Sequence, residues 1–208
     1  MDAQRAHIKY LFHVPGPVVP VALWYPNVSL TLKWEGFLHK AATLRDYTDF
    51  DFVDETMLRT EALDRYKVLL IIHGEVMETA DARLIADWVK KGGRVGVMDV
   101  PKFESVEGTD EPERILFGGS PECRTLGKGG IARVEGWDAL ASRLKKVMGD
   151  LRLPIYDLAK DGIFGTQIAD DRFLFLNTTD AESKVKIRYK GKTTDAAIAA
   201  GTITEVGF

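Results

Sequence analysis

Apolar positions between Tyr66 and Asp99 change period twice, and the change outlines one complete structural unit. Residues 68–72, VLLII, are an unbroken apolar run, the pattern of a strand covered on both faces. His73-Gly74-Glu75 closes the run. Leu84, Ile85, Trp88 and Val89 then recur at helical steps, forming the apolar stripe of a helix that Thr79 can cap. Gly92-Gly93 stops that helix, since glycine takes the left-handed backbone past a helix end without penalty. Residues 94–98, RVGVM, read as a second buried strand, broken by Asp99-Val100-Pro101. Strand, helix and strand in this rhythm make a βαβ unit with parallel pairing and a right-handed crossover.

The same alternation extends in both directions. Residues 18–24, VVPVALW, form a Val-rich run, and the strand begins at or after Pro20, which cannot donate to a ladder. Asn27 or Ser29 can cap a helix running to about Arg45, with Leu30, Trp34, Phe37, Leu38, Ala41 and Leu44 at helical spacing. A short strand over 50–53 follows, then a brief helix from Asp54 or Thr56 to near Leu63. From Lys102 to Gly130 periodicity fades. A loop of that length is functional or contacts another chain. Residues 131–134 read as a fifth strand, and residues 137–151 as a helix with Leu140, Leu144 and Val147 inward. Beyond Pro154 the period shortens. Residues 162–168, 173–176, 185–189 and 202–206 are strand-like, with Asn177-Thr178-Thr179-Asp180 and Lys190-Gly191-Lys192 as hairpin turns. The expected organisation is an α/β domain over 1–153 and a small antiparallel β domain over 154–208.

Composition narrows the function classes. With 45% apolar and 28% charged residues in 208, the chain can build an ordinary globular core. A net charge of −3 leaves no broad basic footprint, so nucleic acid is not an expected partner. The pairs Lys90-Lys91 and Lys145-Lys146 fall late in predicted helices, where cations meet the negative dipole end. No apolar run approaches the ~20 residues needed to span a bilayer, so no membrane partner is expected. The opening MDAQRAHIKYLF does not read as a signal peptide, and the expectation is a segment cut from a longer chain. The single Cys123 excludes an intramolecular disulfide and a Cys-rich zinc site, and fits a cytoplasmic setting. His7, His13 and His39 show no ligand spacing, and His73 with Glu75 or Asp99 falls short of a catalytic metal's three ligands. Neither a metal nor a cofactor is expected. Gly127-Lys128-Gly129-Gly130 has the wrong order for a phosphate cradle and precedes a strand, so it reads as a flexible loop.

Candidate chemistry gathers where the strands end, because ligands of open α/β sheets bind beyond the carboxyl ends. Those ends offer Asn27 and Ser29, then His73 and Glu75, then Asp99, Lys102 and Glu104. Such a set can hydrogen-bond a polyol or move protons. The competing reading is structural: Asn27 and Ser29 cap a helix, while His73 and Asp99 satisfy loop backbone. Aromatic faces suit stacking on a sugar ring; Trp34 and Phe37 read as core, whereas Trp24 and Tyr25, at a strand end, are open to either reading. Trp24, Asn27, His73, Glu75 and Asp99 are the ligand-binding candidates, and no residue is assigned a catalytic role.

The order VALWYPN, helix, then YKVLLIIHGEVMETADARLIADWVKKGGRVGVMD resembles the class I glutamine amidotransferase-like fold. It is most similar to the β-galactosidase trimerisation domain, a non-catalytic member of that superfamily. The tail DGIFGTQIADDRFLFLNTTD, ending in AAGTITEV, resembles the small C-terminal β domain of such glycoside hydrolases. The likeness spans about residues 15–208. It implies a flavodoxin-like, doubly wound parallel sheet followed by an antiparallel β-sandwich. It also implies an accessory role, with a second copy of the chain or the catalytic barrel of a longer glycosidase as partner and a carbohydrate within reach. Two departures matter. Amidotransferases carry a GxCxG nucleophile elbow and a later His-x-Glu, yet Cys123 sits in a Gly-rich stretch and no histidine follows it. No barrel is present to supply a glycosidase's carboxylate pair. Two alternatives stay open: a stand-alone carbohydrate or small-molecule binding module using the strand-end crevice, and a hydrolase built on His73 with Glu75 or Asp99.

Overall fold

The computed structural model describes residues 16–32, 36–158 and 161–208; His7, His13 and Trp34 lie outside them. The described residues fall into two compact units, one of Pro20–Ala41 with Phe50–Val147, the other of 16–19, Ala42–Asp49 and Met148–Phe208.

The first unit is built on β1 (Val21–Trp24), β2 (Asp51–Val53), β3 (Val68–Ile71), β4 (Arg94–Met98), β5 (Cys123–Leu126) and β6 (Gly129–Val134). Their order is β2-β1-β3-β4-β6-β5, parallel throughout except for the β5–β6 hairpin. The parallel part follows the 2-1-3-4-5 order of flavodoxin-like sheets, as expected. Every residue of β1 and β3 is buried, which is why these strands are continuous apolar runs. β1 starts just after Pro20, and the Pro20 carbonyl accepts from the Lys67 and Val68 amides instead.

Local chemistry explains where the helices depart from expectation. The single helix expected from Asn27 to Arg45 is two, α1 (Asn27–Leu32) and α2 (Phe37–Leu44). Gly36, at φ +88°, is incompatible with a continuous helix. α3 (Glu55–Arg59) is capped by Asp54, whose carboxylate accepts from the Met57 amide at 2.8 Å, and a 3₁₀ turn (Ala62–Arg65) follows. α4 (Thr79–Lys91) stops at Gly92, at φ +130°. Thr79 is its first helical residue rather than its cap. Leu84 points outward, and Asp81 is buried in its place.

The stretch over 102–130 is not a structureless loop. It contains α5 (Glu111–Phe117) and the β5–β6 hairpin, and two arginines organise it. Arg124 donates to the Ile115 carbonyl at 2.8 Å, satisfying the frayed end of α5. Arg133 lies 3.9 Å over the Phe117 ring, pairs with Glu113 at 2.9 Å, and donates to the Val100 and Pro121 carbonyls. The flexible loop expected at Gly127-Lys128-Gly129-Gly130 is the tight turn of this hairpin and the first residues of β6. A Cβ at Gly129 would lie 2.1 Å from the Val89 carbonyl oxygen and 2.2 Å from that of Gly93. These glycines let the hairpin backbone touch the end of α4. α6 (Gly136–Asp150) then buries Leu140 and Leu144, and Lys145-Lys146 precede its last turn.

The second unit holds β7 (Ile155–Leu158), β8 (Ile163–Ala169), β9 (Arg172–Asn177), β10 (Ser183–Tyr189), β11 (Lys192–Ile198) and β12 (Ile203–Gly207). Two three-stranded antiparallel sheets, β11-β10-β7 and β12-β9-β8, share a core of Ile163, Phe173, Phe175, Val185, Ile187, Ile198 and Val206. This is the expected β-sandwich. β7 and β11 were not predicted: β7 is short, and β11, KTTDAAI, is mostly small and polar. The turn at Asn177-Thr178-Thr179-Asp180 is not a hairpin either. It carries the chain from one sheet to the other, and the fully buried Asn177 side chain ties it to the Ala181 and Ile198 carbonyls.

Candidate functional site

Parallel pairing places the ends of β1, β3 and β4 side by side, and the loops after them are linked by specific bonds. Ser29 on α1 donates its hydroxyl to the Val76 carbonyl at 2.9 Å and accepts from the Val76 amide at 3.1 Å. Gly74, at φ +95°, packs so closely on Pro26 that a Cβ would sit 2.9 Å from the proline. The Glu104 amide donates to the Glu75 carbonyl at 2.8 Å, and the Met77 amide to the Glu104 carbonyl at 2.9 Å. Three loops are thereby held as one surface.

The five candidate residues differ sharply in what they offer. Trp24 is buried in the core below the surface. Asn27, exposed at the start of α1, donates to a Glu55 carboxylate oxygen at 2.7 Å, while the other oxygen accepts from the Val28 amide. His73 is half-buried, its ring 5.9 Å from that of Phe37. Glu75 has an exposed side chain. Asp99 adopts φ +54° and accepts from the Gly136 amide at 3.0 Å, at the start of α6.

Lys40 joins two of these positions and escaped the sequence reading. From α2 it donates to the Ile72 carbonyl at 3.1 Å, one residue before His73, and stands 4.0 Å from the Asp99 carboxylate. Its signal was faint: a cation one turn after Phe37, on a helix whose facing could not be assigned while α1 and α2 read as one. Glu55 was missed as well, although it directly follows the helix cap Asp54. Tyr25 closes the group, its ring packed edge-on against Phe37 and Phe52 at 5.2 and 5.6 Å.

A second buried carboxylate lies in the same unit. Asp81 accepts two bonds from Arg59, at 3.0 and 3.1 Å, and Arg59 also reaches Glu78. Burial pushes the Asp81 carboxyl above the usual range, and the guanidinium opposes that push. Among the described residues no three His, Cys, Asp or Glu side chains gather as a metal ion would require, and no helix is long and apolar enough to cross a membrane. Cys123 is exposed on the edge strand β5 rather than at a strand-to-helix elbow. The strand-end surface thus presents hydrogen-bonding and charged groups, of which Ser29, Lys40, Glu55 and Asp99 are tied to backbone.

No family model matches the sequence, and no curated protein matches it. Solved structures do match in fold. A β-galactosidase from Bacillus circulans sp. alkalophilus aligns over 95% of this chain and 42% of its own, with a TM-score of 0.64 at 12% identity. A catalytic mutant of a GH42 β-galactosidase from G. stearothermophilus aligns over 95% and 41%, with a TM-score of 0.62 at 13% identity. The GH42 exo-carrageenase of Bacteroides ovatus aligns over 97% and 30%, with a TM-score of 0.61 at 13% identity. The resemblance expected from the sequence therefore holds at the level of fold: this chain has the architecture of one part of GH42 β-galactosidases and spans less than half of their length.

Proposed function

We propose that this chain is an accessory, subunit-holding region of a β-galactosidase-like glycoside hydrolase and cleaves no glycoside by itself. One observation carries the reading: the likeness takes in 95–97% of this chain but 30–42% of each glycosidase chain. Further support comes from the side chains at the strand ends. Asp99 is bonded to backbone at the start of α6 and Asn27 to Glu55, roles that stiffen a surface rather than attack a substrate. In this reading Asn27, His73, Glu75 and Asp99, over the buried Trp24, belong to the face offered to a partner subunit. Exposed charges of both signs, Lys102 and Glu104 among them, suit an interface rim. Light scattering on the native polypeptide tests this. A homo-oligomer that Glu75→Lys weakens, at unchanged melting temperature, is the expected result; a wild-type monomer at micromolar concentration overturns it.

A second reading rests on the rings of Tyr25, Phe37, Phe52 and His73, which touch one another while Phe52 stays 40% exposed. Such a cluster beside Asn27 suits stacking on a sugar. Neutral mono- and disaccharides would then raise the melting temperature, and a panel that leaves it unmoved removes this reading.

A further inference from the structure

The sandwich unit has a cavity of about 560 Å³ where the end of α6 meets the β10–β11 hairpin. Arg152, Arg188, Lys190 and Lys192 line it, together with Tyr189 and Thr193. Four cations around one cavity are out of proportion in a chain whose net charge is −3. Carboxylates answer two of them: Asp157 pairs with Arg188 at 3.1 Å, and Asp170 with Lys190 at 2.5 Å. Among the described residues no carboxylate pairs with Arg152 or Lys192.

Backbone conformation supplies an independent observation. The Leu153 amide donates to the Met148 carbonyl at 2.8 Å and the Arg152 amide to the Gly149 carbonyl at 3.0 Å. This bond pair closes a helix through one left-handed residue, a place usually filled by glycine. Arg152 fills it, at φ +57°. At the hairpin tip Lys190 and Gly191 have φ +49° and +77°, and the first of those positions normally takes Asn, Asp or Gly. Among the described residues, four other than glycine are left-handed: Glu61, Asp99, Arg152 and Lys190. Two of the four are cations on this cavity. Glycine would relieve both sites, so each long basic side chain is held at a backbone penalty, a pattern typical of functional positions. The Met148 and Gly149 carbonyls are taken up by the two closing amides, so neither is left without a donor beside the cavity.

We propose that this cavity binds an oxyanion (sulfate, phosphate or carboxylate) borne on a carrier of sugar-ring size. Arg152 supplies a planar fork of donors to the anion, Lys192 a point charge, and Arg188 and Lys190 a partly neutralised background. The volume lies within the range of small-molecule pockets and exceeds what a bare anion fills. The site belongs to the sandwich and does not depend on the strand-end reading.

Calorimetric titration of the full chain at low ionic strength tests it, with sodium sulfate, sodium phosphate and glucuronate as probes and chloride as the ionic-strength control. Saturable one-to-one binding is expected, weakened about tenfold by Arg152→Gly and by Lys192→Ser. Arg152→Gly carries a second signature: it raises the melting temperature of the free protein, because the left-handed position is relieved while the cation is lost. Absence of saturable binding by all three probes, or wild-type affinity in Arg152→Gly, overturns the proposal. Glucuronate that binds no more tightly than sulfate overturns the sugar-sized carrier.

Discussion

Asp81 is a carboxylate with no solvent contact, and Arg59, itself about half exposed, is what holds it. Because burial raises its folded pKa, the folded state binds this proton more tightly than the unfolded chain does. Asp81 therefore detracts from stability as pH climbs from the ordinary carboxylate range, near ~4, through the raised folded value. Arg59→Ala takes away the opposing pull and pushes that value higher still. The expected cost is about 2–3 kcal/mol at pH 7, below that of a fully buried pair because Arg59 is partly hydrated. It shrinks as pH falls to ~3, below the ordinary carboxylate value, where the carboxyl is largely neutral in both states. Urea denaturation at the two pH values checks this, and a cost independent of pH refutes it. Asn177 poses a neutral version of the same demand. Its amide donates to two carbonyls, and its oxygen accepts from the Thr179 amide and hydroxyl. Asn177→Ala strands those groups and is expected to cost about 2–4 kcal/mol, read as a shift in the denaturation midpoint.

Among the elements, the β5–β6 hairpin and α4 meet backbone against backbone. Gly129→Ala drives a Cβ into the Val89 and Gly93 carbonyl oxygens and is expected to cost more than about 3 kcal/mol. Gly36→Ala meets open space and bears only the left-handed penalty, about 1 kcal/mol. Thermal melts of the two variants should separate them clearly; equal losses would mean that the seam is loose. The contrast also shows what a sequence can and cannot reveal. β4 was legible to the residue because a buried run between Gly-Gly and Asp-Val-Pro has one reading. α5 was not, because the arginines that hold it, Arg124 and Arg133, lie on the two strands of the hairpin that follows rather than in a local period, and β5 was not, because its short run CRTL is half polar. Asp81 replaced Leu84 on the buried face of α4 for a similar reason: its partner lies 22 residues earlier, outside any helical window. At the strand ends Asn27, His73, Glu75 and Asp99 were visible as loop residues, whereas Lys40 was hidden inside a helix.

At the level of the whole molecule, the chain passes between its two units more than once. The sandwich unit takes in Ala42–Asp49 and residues 16–19, so a boundary at residue 154 remains a proposal about independence. The Gly162 amide donates to Asp46 at 3.3 Å, and the Val18 amide to the Gln167 carbonyl at 2.7 Å. A fragment ending at residue 153 lacks those partners. Its amides over 42–49 should exchange hydrogen faster than in the full chain; equal exchange would establish residues 1–153 as self-sufficient. The paired bonds between Ser29 and Val76 bear on kinetics. A face whose loops are already fastened has little conformational entropy left to lose when something lands on it. Association there would proceed at the rate of correct collisions rather than of rearrangement, and differences in affinity among variants of that face would be written in how slowly the complex comes apart.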